Sequence, residues 1–142
     1  MARKISHYFY RFIVNPASAA EEISQDKSGL WVGLWWVIIF CVCYSVTVLV
    51  FYLLGHTPVS KPFLTIPLGK WYLVQTFTTL PIGLAGFLSY SGLAYILSKP
   101  AGGKGNFDQT VASQAFTLYI PMFIFMWIPE TFLAPILIAN GI

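Results

Sequence analysis

The sequence predicts an all-α membrane protein, a helical bundle with about three transmembrane helices and an amphipathic interfacial helix at the N-terminus. Hydrophobic residues make up 57% of the 142 residues and charged residues only 9%. A soluble domain carries about 25% charged residues, so lipid is expected to solvate most of the surface. Residues 30–54 contain no charged residue, and this stretch is long enough to cross a bilayer and has aromatic residues near both ends.

Residues 1–28 form a segment that we expect to be helical, cytoplasmic and amphipathic. Its apolar side chains follow helical spacing at Ile5, Tyr8, Phe9, Phe12 and Ile13, and its basic side chains lie opposite, at Lys4, His7 and Arg11. Two placements are open: in the plane of the membrane interface, or packed on the protein's own cytoplasmic side. Asn15 and Pro16 then predict the start of a second helix, which runs to about residue 27.

Residues 29–142 form the predicted transmembrane domain. Its crossings are expected at about 30–54, 71–97 and 110–128, followed by an irregular apolar segment at 129–142. Pro81 predicts a kink in the second crossing, and Pro121 and Pro129 predict interruptions of the third.

The Lys and Arg residues predict the orientation. Six lie in the N-terminal segment and in the loop at 98–109, and two lie in the loop at 55–70. Cytoplasmic loops carry the excess of positive charge. The N-terminus and the second loop are therefore expected in the cytoplasm, and the C-terminus outside.

Small residues predict where helices approach closely. Thr78, Ala85, Ser89 and Gly92 share one face of the second crossing, and Gly29 and Gly33 form a similar but weaker pair. Packing between helices of the same chain is the favoured interpretation, with a dimer seam or a substrate path as alternatives.

The residues that carry chemistry are few, and we expect neither an enzyme nor a cofactor. Cys41, Cys43, His7 and His56 form no metal-ligand cluster. The glycines around Lys104 lack the spacing of a phosphate-binding loop, since Gly105 rather than Ser or Thr follows the lysine. The modest charge of +3 fits an anionic membrane surface and not a nucleic acid. Glu130 is a candidate functional acid within an apolar stretch. An acid in contact with water near the outer interface is the favoured interpretation.

Three stretches resemble the Yip1 domain family. They are the lead-in from Asn15 to Ile23, the loop and helix start from Gly102 to Thr110, and the proline at position 121. The middle stretch is similar to the family's most recognisable motif, which makes Gly102, Gly103, Lys104, Gly105, Gln109 and Thr110 the candidate site residues.

The resemblance implies a five-helix membrane fold, of which this chain has room for three crossings and part of a fourth. Eukaryotic members bind small GTPases partly through long cytoplasmic N-termini, and the short segment here does not support GTPase binding. The short N-terminus is similar to that of prokaryotic members, which implies a bacterial cytoplasmic membrane. Two functions are hypotheses. The first is a non-catalytic scaffold or accessory subunit of a membrane complex, which binds other subunits or forms a homo-oligomer. The second is a transporter or channel component that works as an oligomer.

Overall fold

The computed structural model describes residues 1–56, 58 and 66–125, and these ranges contain five α-helices and no strand. The helices are α1 (Ala2–Val14), α2 (Pro16–Gln25), α3 (Gly29–Leu53), α4 (Leu68–Ser98) and α5 (Phe107–Phe125). The predicted all-α fold is confirmed. Glu130 and the predicted segment at 129–142 lie outside the described residues, as do residues 126–128 of the third crossing.

Polar side chains accept backbone hydrogen bonds at the starts of α2 and α3. The Asn15 side chain accepts a hydrogen bond from the Ser18 backbone N–H at 3.2 Å, and Pro16 opens α2. Asp26 lies in the turn between α2 and α3, where its carboxylate accepts a hydrogen bond from the Ser28 backbone N–H at 2.8 Å. These caps satisfy N–H groups that have no partner inside a helix.

Two described helices, α3 and α4, are long and apolar enough to cross a membrane, judged by length and composition. α4 continues from residue 68 to residue 98 through Pro81, and α5 continues through Pro121. The expected interruption at Pro121 is therefore wrong for the described part of this helix. A proline removes one backbone donor, and both helices nevertheless continue on either side of it. The kink predicted at Pro81 stays a prediction.

The bundle runs up, down and up. α3 and α5 run in the same direction, because Gly33 lies beside Ala112 and Phe40 lies 4.8 Å from Tyr119. α4 runs the opposite way, since Tyr95 near its end contacts Phe107 at the start of α5. The N-terminal helices and the loop at 98–106 therefore share one end of the bundle, as the charge distribution predicts. We call it the polar end. Which side of the membrane it faces stays a prediction.

The core at the polar end is built around Phe116 of α5, which is fully buried. Its ring lies 5.2 Å from Phe12, 6.2 Å from Tyr8 and 5.5 Å from Trp36, measured between ring centroids. Of the two placements for α1, the structure shows packing on the protein itself. Ile13 was predicted to lie on the apolar face, but it does not pack in the core, since 54% of its surface is exposed.

The α3–α5 contact is made by small residues. A Cβ atom added to Gly33 would lie 3.1 Å from the Ala115 Cβ and 3.2 Å from the Ala112 Cα. One added to Gly29 would collide with the Ile23 backbone carbonyl. The structure thus places both glycines where the backbones of α2, α3 and α5 come together.

The stripe on α4 lies elsewhere. Phe87 and Ser91 are the buried residues in this part of the helix, whereas Ala85 and Ser89 are exposed. Packing against the described part of the chain is therefore the wrong interpretation for Ala85 and Ser89. Gly92 is half-buried, and a Cβ atom added to it would lie 4.0 Å from the Phe107 ring. The spacing of small residues shows that they share one face of the helix. It does not show whether that face packs against α5 or points away from it.

Candidate functional site

The loop motif closes α4 with a glycine C-cap. Gly102 has a φ of +87°, a conformation that side chains disfavour. Its N–H donates to the Lys99 carbonyl at 3.1 Å, and the next N–H, of Gly103, donates to the Ser98 carbonyl at 2.9 Å. This pair of bonds is the Schellman arrangement, which satisfies the last carbonyls of a helix.

Gly103 is required for space rather than for its φ. A Cβ atom there would lie 2.8 Å from the Ser98 carbonyl oxygen and 2.9 Å from the Ser98 hydroxyl. The backbone must therefore shift if this residue gains a side chain. At Gly105 an added Cβ would meet only the end of the Gln109 side chain, at 3.3 Å, and that side chain can move.

The other motif residues start α5. The Asn106 side chain accepts from the Gln109 N–H at 2.9 Å, and the Gln109 side chain accepts from the Asn106 N–H at 2.9 Å. This reciprocal pair is a capping box. The Thr110 hydroxyl donates to the Asn106 carbonyl at 3.1 Å. Gln109 and Thr110 thus fix the direction in which α5 leaves the loop.

Lys99, which the sequence did not single out, is the basic residue that organises the loop. Its ammonium group donates to the Gly105 carbonyl at 2.7 Å and lies 4.7 Å from the centre of the Tyr95 ring. Lys104 is exposed and has no hydrogen bond or ion pair with any described residue. The structure therefore leaves Lys104 available to lipid or to a partner.

The basic face of α1 is paired with acids that follow it in the chain. Lys4 lies 2.7 Å from the Asp26 carboxylate, and both His7 (3.1 Å) and Arg11 (3.2 Å) contact Glu22. The bond from His7, followed by the charge of Arg11, lowers the pKa of Glu22. These contacts hold α1 and α2 together as an antiparallel hairpin.

Asp26 is the centre of this polar network. It accepts hydrogen bonds from Lys4, from the Tyr8 hydroxyl at 3.1 Å and from both the backbone and the hydroxyl of Ser28. The bond from Lys4, followed by that from the Ser28 backbone, holds the pKa of Asp26 far below its usual range. Burial and the bond to Asp26 raise the pKa of Tyr8 to about 12.

A polar cavity of about 280 Å³ lies between the Asp26 end of α2 and the start of α5. The α2–α3 junction contributes Asp26, Lys27 and Trp31, and the start of α5 contributes Asn106, Asp108 and Gln109. The described residues contain no group of three or more His, Cys, Asp or Glu side chains that could hold a metal ion. The cavity offers carboxylate, amide and ammonium groups, which suit hydrogen bonding to a polar ligand or partner.

Two stretches that are far apart in sequence therefore meet at the polar end. The end of α2 and the start of α5 lie on either side of this cavity. The Yip1 domain matches residues 10–141, which is almost the whole chain. The chain belongs to the Yip1 domain family. No curated protein and no solved structure gives a significant match.

As a Yip1 domain member with two helices of membrane-crossing length and composition, the chain is a membrane protein. The match begins within α1 and includes the whole of α2 to α5. The motif residues that resemble the family are accounted for locally by the glycine C-cap and the capping box, with Lys104 left exposed.

Replacing Gly102 or Gly103 with alanine should destabilise the loop. Gly102→Ala forces a side chain into the left-handed region, and Gly103→Ala crowds the Ser98 carbonyl. We expect each change to cost about 1 kcal/mol, measured by thermal unfolding in detergent. Gly69→Ala is the control, because an added Cβ there meets nothing within 4 Å. Unchanged stability in both loop variants would show that the backbone requirement is wrong.

Acid should release the Asp26 network, and Asp26→Asn should mimic this at neutral pH. The folded-state pKa lies below the unfolded value of about 3.9. The stabilisation is therefore complete above about pH 5 and is lost as the pH falls through the unfolded pKa towards the lower folded pKa. We expect Asp26→Asn to lower the unfolding free energy by about 1–2 kcal/mol at pH 7. Glu21→Gln, at an exposed acid on α2, is the control, and a loss that is equal in both variants would contradict the role of Asp26.

Proposed function

We propose that this chain is a non-catalytic scaffold or accessory subunit of a membrane protein complex, which associates with other subunits or with copies of itself through α4. We place it in a bacterial cytoplasmic membrane with its polar end in the cytoplasm. The carrying observation is that Ala85 and Ser89 lie on the exposed side of α4, where they allow another helix to approach closely.

The surroundings of this stripe support a protein partner. Large apolar side chains border the small residues and are themselves exposed, including Ile82 at 67% and Leu93 at 57%. Only 11% of the most apolar window of α4 is buried within the chain. Small residues between large ones on an exposed helix face let a second helix approach closely. Lipid chains alone place no such demand on side-chain size.

The test is copurification from native membranes, followed by a comparison of two tryptophan variants. Ser89→Trp fills the small-residue groove, whereas Leu97→Trp adds similar bulk at a residue that is 64% exposed at the end of the helix. We expect wild type and Leu97→Trp to copurify with a partner, or a second copy, at fixed stoichiometry. The Ser89→Trp variant should no longer copurify with the partner or second copy. A wild-type chain that isolates as a lone monomer in mild detergent would contradict the proposal.

A transport function is the second candidate, favoured by one observation. Ser91 on α4 and Gln114 on α5 each leave a buried side-chain oxygen without a hydrogen-bond partner among the described residues. Unpaired polar atoms inside a membrane bundle can mark the path of a polar substrate. Flux in reconstituted vesicles that is unchanged by Ser91→Ala and by Glu130→Gln would remove this candidate.

A further inference from the structure

An apolar groove lies between α1 and α3, on the side of α1 that faces away from the polar network. Its volume is about 660 Å³, and its walls include Ile5, Phe9, Trp35, Trp36, Ile39 and Phe123. Ser6 is the polar side chain among the lining residues. The walls offer hydrophobic contact and almost no hydrogen bonding, so the occupant they fit is a hydrocarbon.

The groove is continuous with the surface that α3 presents to lipid. Exposed apolar residues recur every three or four positions along this helix, at Trp31, Trp35, Ile39, Val42, Val46, Val50 and Leu53. Such a stripe on a membrane helix contacts acyl chains. Because Trp35 and Ile39 belong both to the stripe and to the groove, a lipid that lies along α3 has direct access beneath α1.

The groove is too small to enclose a helix. A helix is at least about 10 Å wide, so each ångström of its length fills roughly 80 Å³. The groove would then hold about 8 Å of helix, which is about one and a half turns at 5.4 Å per turn. An acyl chain is much thinner than a helix, so a space of this volume can enclose part of its length.

Charge near the groove favours an anionic lipid. Arg3 lies on α1 between the lining residue Ala2 and Lys4, and it is exposed. Lys4 and Arg11 are paired with acids, whereas Arg3 has no acidic partner among the described residues. An arginine at the membrane surface binds a phosphate group through charge-assisted hydrogen bonds.

We propose that this groove binds one acyl chain of an anionic phospholipid, whose phosphate contacts Arg3. The bound lipid would then hold α1 against the membrane surface while the Asp26 and Glu22 contacts hold it to α2. The lipid site beside α1 is separate from the partner surface proposed on α4.

Photocrosslinking identifies the occupant. A benzophenone amino acid placed at Ser6 in the full chain, reconstituted in vesicles of phosphatidylglycerol and phosphatidylethanolamine, reacts with whatever fills the groove. We expect an adduct with the mass of one phospholipid. Crosslinking instead to residues 126–142 of the same chain, or to a second copy, would overturn the proposal.

Two variants separate the acyl chain from the headgroup. Native mass spectrometry should find one bound phosphatidylglycerol on the wild type and at least tenfold less on Ala2→Trp, which fills the groove. Tyr10→Trp, at an exposed position outside the groove, should retain the lipid. Arg3→Gln should keep a lipid but lose the preference for phosphatidylglycerol. Equal retention by the two tryptophan variants, or no headgroup preference in the wild type, would contradict the proposal.

Discussion

Replacing Phe116 with alanine is expected to give the largest loss of stability and to release α1 from the bundle. The ring is fully buried and contacts Tyr8, Phe12 and Trp36, so that α1 and α3 meet on it. Removing a buried phenylalanine side chain costs about 3–5 kcal/mol, through lost contacts and the cavity left behind. Thermal unfolding in detergent measures the loss.

Release of α1 has its own readout. Arg3, Lys4 and Arg11 are trypsin sites on this helix, and cleavage there should become faster in Phe116→Ala. Phe77→Ala is the matched control, because Phe77 on α4 is 74% exposed and should tolerate the change. Slow cleavage in both variants would show that Phe116 does not hold α1 in place.

Replacing Gly33 with leucine is expected to separate α3 from α5. The position of an added Cβ is already 3.1–3.2 Å from Ala115 and Ala112, and one of these contacts is to backbone, which cannot rotate away. Overpacking of this kind costs about 1–3 kcal/mol, and the upper end is expected because a leucine adds four carbon atoms.

The matched control for this overpacking is Gly86→Leu, since a Cβ at Gly86 on α4 meets nothing within 4 Å. The melting temperature should fall in Gly33→Leu and change little in Gly86→Leu. Equal melting temperatures for the wild type and Gly33→Leu would mean that α3 and α5 are farther apart than described.

The helices were predictable because their signals are local. The uncharged run at 30–54 predicted α3, and the Asn15–Pro16 pair predicted the start of α2. The faces were not predictable to the same degree. In a membrane, lipid and helix interior are both apolar, so the small residues Ala85 and Ser89 carry no mark of the side on which they lie.

At the polar end, too, local features were easier to predict than contacts between distant residues. The positive φ of Gly102 is a local property of the turn, whereas Gly103 must be a glycine because of its close approach to Ser98. The pairing of Lys4 with Asp26, 22 positions apart, depends on how α1 and α2 pack. No local spacing in the sequence indicates such a contact.

Thiol labelling of single cysteines tests the central claim most directly, namely that α3 and α4 cross the membrane and that the N-terminal helices and the glycine loop share one side. The variants are Ser6→Cys, Lys104→Cys and His56→Cys in a background lacking Cys41 and Cys43. All three positions are exposed. With an impermeant reagent on intact cells, we expect labelling at position 56 and protection at positions 6 and 104 until the membrane is opened. Labelling of 6 and 104 on opposite sides, or of all three in intact cells, would contradict the account.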